Sequence, residues 1–144
     1  METITSLSSR SLQYYVIARK WSSRLEFISF EINFLHYLID EHLFTVPDIN
    51  LRRNAGNLKD GLMSLEFQRK NLERLLATQI SQLELMAEDV ISENISNLVA
   101  MQIELELRMD KISVAYRELK KQIFMLIKDI LDAHKKPLFY CFPN

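Results

Sequence analysis

Helix breakers are scarce in this chain. Its 144 residues include two glycines, Gly56 and Gly61, and three prolines, Pro47, Pro137 and Pro143. Residues 1–46 contain neither type, and neither do residues 62–136. Glycine weakens a helix through backbone entropy, and proline through a missing N–H and a ring clash. Their absence permits long uninterrupted helices. Two separated glycines also exclude a glycine-rich phosphate loop.

Other shortages narrow the function. Cys141 is the single cysteine, which excludes an internal disulfide and a multi-cysteine metal site. It stands four residues from the end, but Cys-Phe-Pro-Asn fits a prenylation signal poorly. No stretch approaches 18 uncharged apolar residues, so no transmembrane helix is expected. The Ser/Thr-rich start, Met1 to Arg10, lacks a basic segment followed by an apolar run, so the expected compartment is the cytoplasm. Lys and Arg number 18 against 19 Asp and Glu, a net charge of −1. That balance draws the chain neither to nucleic acid nor to an anionic membrane surface.

What is present is an apolar fraction of 48%, enough for a core. Its spacing alternates between three and four, the signature of a helix face packed against other helices. The first series is Tyr14, Ala18, Trp21, Leu25, Ile28, Ile32, Leu35, Ile39. The second runs from Leu58 through Leu62, Leu65, Arg69, Leu72, Leu76, Gln79, Leu83 and Met86 to Val90. The third runs from Leu98 through Gln102, Leu105, Met109, Ile112, Tyr116, Leu119, Ile123, Leu126 and Ile130 to Ala133.

These series predict three helices over about 10–44, 57–92 and 97–135. A serine at 9–11 is expected to cap the first. Pro47, Asp48, Asn50, Asn54, Gly56 and Asn57 read as a connection over 45–57, with Asp48 capping one short turn and Asn57 opening the second helix. One continuous rod through residue 92 is the alternative to a second turn. The register slip and the caps in Ser92 to Asn97 favour the turn. The expected fold is all-α, an elongated antiparallel up-down-up three-helix bundle forming a single domain, with a short arm at 1–9 and an apolar tail at 137–144. That tail, Pro137 to Asn144, is expected to fold back over the 45–57 end or to dock on another chain.

Catalytic signatures are missing. There is no Glu-x-x-His, the three histidines are scattered, and no nucleophile-base constellation stands out. No cofactor or metal is implied. Two groups of residues remain as candidates. On a helical wheel, Glu31 lies between the main seam of the first helix and a second apolar group of Phe27, Phe34 and Leu38. In a level antiparallel bundle it stands at the depth of Arg69, so a buried Glu31–Arg69 pair is expected, with Arg24 nearer Gln79. Phe30, Tyr37 and Phe44 repeat every seven residues, nearly opposite the seam, and predict an exposed aromatic stripe. The expected function is a non-enzymatic interaction or structural module. Its partner is a protein, most simply a second copy in a two-fold dimer. The alternative is a bundle enzyme or metal carrier with a carboxylate core site around Glu31.

Overall fold

A computed structural model describes residues 7–43 and 45–140, with side chains as far as Ala133. It is an up-down-up bundle of three long helices: α1 (Ser9–Leu43), α2 (Ile49–Ala87) and α3 (Ile95–Tyr140). Each helix packs on both others. The seams follow from the three-four spacing. Leu25, Ile28, Ile32, Leu35 and Ile39 of α1 are at most 1% exposed. Leu62, Leu65, Leu72 and Leu76 of α2 and Leu105, Met109, Ile112 and Ile123 of α3 complete the layers. The polar members of the series, Arg69, Gln79 and Gln102, are buried with them.

Helix ends have identifiable causes. Ser8, one residue ahead of the expected range, caps α1 by accepting the Ser11 N–H at 3.2 Å. Asp48 accepts the N–H groups of Asn50 and Leu51 and so opens the whole of α2 rather than one short turn. The expected connection at 45–57 is therefore much shorter. Asn54, Gly56 and Asn57 are helical because Ala55 and Leu58 bury on the α2 seam while those three point to water.

The second turn also lies earlier than expected. Asp89 is left-handed, with φ 59°. The Val90 N–H reaches Leu85 O at 2.9 Å and the Asp89 N–H reaches Met86 O at 3.1 Å. This is the paired closure that terminates helices at a left-handed residue. Val90 is left exposed, outside the seam that predicted it inside. Asn94 then caps α3 by accepting the Asn97 N–H at 3.2 Å. At the far end α3 continues past the expected stop at 135 to Tyr140. A proline in the closing turn removes one helical bond with little helix beyond it, which limits its effect. The side chains of 134–140, and residues 141–144 entirely, lie outside the described residues, and with them the expected folding back of the tail.

The register is set by contacts between helices. Tyr15 meets Glu84, and Asp40 meets Lys59 at 2.6 Å, so α1 and α2 are antiparallel and Glu31 stands level with residue 68. Ser8 meets Glu93 and Glu31 meets Lys120, so α1 and α3 run parallel. Gly61 lets α2 and α3 approach closely: a Cβ there would stand 2.8 Å from a Leu119 methyl.

Candidate interaction surface

Glu31 occupies the expected depth but faces the other neighbour. The Lys120 ammonium lies 2.7 Å from its Oε1, and the Tyr116 hydroxyl donates to the same oxygen. Arg69 is engaged within its own helix. Its Nε and Nη2 grip both oxygens of Glu66 at 2.9 and 2.7 Å, and its Nη1 reaches Glu73 at 2.6 Å. The expected Glu31–Arg69 pair does not form. Arg24, expected nearer Gln79, is exposed and makes no hydrogen bond with it; the buried Gln79 amide donates to Leu98 O at 3.3 Å. The wheel explains both outcomes. Tyr15 and Asp40 lie on one flank of α1 and reach α2, while Glu31 lies on the opposite flank and reaches α3.

The electrostatics of this cluster follow from its hydrogen bonds. Those from Lys120 and Tyr116 hold the Glu31 carboxyl below the usual carboxylate range. Burial, and then the neighbouring carboxylate, push the Tyr116 phenol up. The hydrogen bond to Glu31 pushes the Lys120 ammonium up. Lys120 Nζ also sits 5.7 Å from the Tyr116 ring and 5.9 Å from Phe124, within cation–π range. A carboxylate already neutralised by a lysine is a poor ligand for a metal cation. Among the described residues, no group of three or more His, Cys, Asp or Glu side chains converges to hold a metal ion.

The outward face of α1 is different in kind. Phe30 is 69% exposed, Tyr37 63%, Phe27 58% and Phe34 49%. Phe44, the third member of the expected stripe, lies outside the described residues. The four described rings share the side of α1 opposite its seam. Phe27 and Phe34 belong to this face, whereas the sequence pattern grouped them with Leu38, which alone of the three is half-buried against the core. The Glu41 carboxylate beside Tyr37 raises its phenol above the usual tyrosine range. Of the three helices, α1 is the least amphipathic, because large apolar side chains surround most of its circumference.

Exposed apolar residues on the other helices are sparser or more diluted. On α2, Met63 and Phe67 stand among Asp60, Gln68 and Lys70. On α3, Ile103, Leu107, Val114 and Met125 alternate with Asp110, Glu118 and Lys121. At the pole where α1 passes into α2, Val46, Pro47, Leu51, Ile130 and Ala133 line an apolar cavity of about 210 Å³. No described helix is long and apolar enough to cross a membrane. No family model matches this chain, and no curated protein or solved structure is significantly similar to it.

Proposed function

We propose that this protein is a helical-bundle interaction module, acting by contact with another protein chain rather than by catalysis, with the outward face of α1 as its contact surface. One observation carries the reading: four aromatic rings, each about half exposed or more, lie on a single helix face that no other described residue covers. Three Phe rings and a Tyr ring on one face form an apolar patch of the kind that marks interaction sites, and aromatic residues are those that interfaces favour. Self-association is its simplest form. The rival reading, a carboxylate site around Glu31, is disfavoured by the Lys120 ammonium, which neutralises that carboxylate at 2.7 Å.

The test is a photoreactive amino acid at position 30 in cells that make the protein, compared with the same group at Glu118 on the outward face of α3. The expected result is a discrete cross-link to a protein chain from position 30 and none from position 118. Equal or absent cross-linking at the two positions rejects α1 as the contact face.

A further inference from the structure

The charges of α1 are segregated along its length. Residues 9–24 carry Arg10, Arg19, Lys20 and Arg24 and no acid. Residues 25–43 carry Glu26, Glu31, Asp40 and Glu41 and neither lysine nor arginine. This order is the reverse of what a single helix prefers, since the positive end of the helix dipole favours acids and the negative end favours bases. The arrangement therefore does not serve the stability of α1 alone.

Part of the charge is used inside the bundle. Asp40 pairs with Lys59, and Glu31 with Lys120. Arg19, Lys20, Arg24, Glu26 and Glu41 are all exposed and make no ion pair among the described residues. Arg19 and Glu41 flank the aromatic face on the side of α1 opposite the seam. Each is eleven residues from Phe30, one before it and one after. The patch is thus bounded by a cation at one end and an anion at the other, about equally far from its centre, at ~16 Å each way.

Resting on the proposed use of α1 as a contact face, we infer that its occupant is the α1 of a second copy, laid antiparallel about a two-fold axis at Phe30. A two-fold axis at that level brings residue i of one copy level with residue 60 − i of the other. Arg19 then meets Glu41 of the second copy, and the same pair recurs at the other end by symmetry. Phe27 comes level with residue 33 of the second copy, beside its Phe34. Tyr37 comes level with Ser23, an exposed small side chain that leaves room for the ring. Antiparallel docking also opposes the two helix dipoles. A parallel pair would place Arg19 on Arg19 and Glu41 on Glu41. Exposures of 49–69% on rings of about 200 Å² each leave roughly 900 Å² of aromatic surface in two copies. That is most of the ~1,200 Å² from which stable interfaces start.

The test is sedimentation equilibrium of the full chain and three charge variants, Arg19→Glu, Glu41→Arg and the double variant. Both positions are exposed and neither makes an ion pair among the described residues; Glu41 touches the Tyr37 hydroxyl of its own face. Each single variant replaces two attractive contacts by two repulsive ones. Its dissociation constant is expected to rise about tenfold, and the double variant to return to within about threefold of wild type. Spin labels at position 19 of the dimer should lie ~33 Å apart, the span of 22 helical residues. A wild type that stays monomeric up to millimolar concentration overturns the inference. So do single variants that assemble like wild type, a double variant no better than the singles, or short label distances at position 19. A cross-link from position 30 to a different protein, with a monomeric wild type, removes the second copy and leaves α1 as the contact face. A dimer insensitive to all three variants, with no cross-link from position 30, removes both.

Discussion

Glu31 of α1 and Lys120 of α3 form an ion pair at 2.7 Å between helices that are not neighbours in sequence. The Glu31 side chain is 19% exposed and that of Lys120 37%. With Tyr116, they close the α1–α3 groove by a polar contact flanked by apolar layers.

Replacing Glu31 by Gln is expected to lower unfolding stability by about 1 kcal/mol at neutral pH. This is below the cost of breaking a fully buried pair, because Lys120 remains more than a third open to water. The pH dependence has a definite sign. The folded carboxyl titrates below its unfolded value, so its contribution is present above that value and is lost as pH falls through the folded one. Lys120 titrates above its unfolded value, so its contribution is present below that value and is lost as pH rises through the folded one. The difference between wild type and Glu31→Gln, measured by urea unfolding across pH, should therefore be flat near neutrality and shrink towards both extremes. A difference that grows in acid would contradict this assignment.

The two glycines should respond differently to the same change. Nothing lies within 4 Å of a Cβ added at Gly56, on the outward side of α2. Gly56→Ala should stabilise the bundle by about 0.5–1 kcal/mol through reduced backbone entropy. At Gly61 the added carbon meets a Leu119 methyl at 2.8 Å, so that side chain must move. Gly61→Ala should gain less than Gly56→Ala or lose stability. Thermal denaturation of the two single variants checks the order.

Gln79 and Gln102 are 1% and 7% exposed, and the side-chain oxygen of each has no hydrogen-bond partner among the described residues. A buried polar atom without a partner carries a desolvation cost of roughly 1–3 kcal/mol. The double variant Gln79→Leu, Gln102→Leu is expected to raise the melting temperature by several degrees. A fall in melting temperature would show that these amides contribute more than their contacts suggest.

The seams were legible because a three-four alternation sustained over 26 to 36 residues has one physical reading. The polar members Arg69, Gln79 and Gln102 were placed inside by their position alone, and they are inside. The boundaries were less legible. Asn54, Gly56 and Asn57 resemble a loop by composition, but Asp48 supplies a cap eight residues before Gly56, and the buried faces of Ala55 and Leu58 carry the helix through. Asp89 takes a left-handed conformation without the glycine that usually signals one. The partner of Glu31 depended on something that periodicity does not contain. A wheel shows that Glu31 and Asp40 lie on opposite flanks of α1. Which flank faces α2 and which faces α3 is decided by the handedness of the bundle.

An odd number of antiparallel helices has a mechanical consequence. The start of α1 stands beside Glu93 at one pole, and Ile130 of α3 stands beside Val46 at the other. The 35 residues of α1 set the separation at ~50 Å. A tensile load applied between the start of α1 and the far end of α3 would run along all three helix axes. The apolar layers would be sheared together over their full length, not peeled apart one turn at a time, and the bundle would behave as a stiff strut between whatever is attached at its poles.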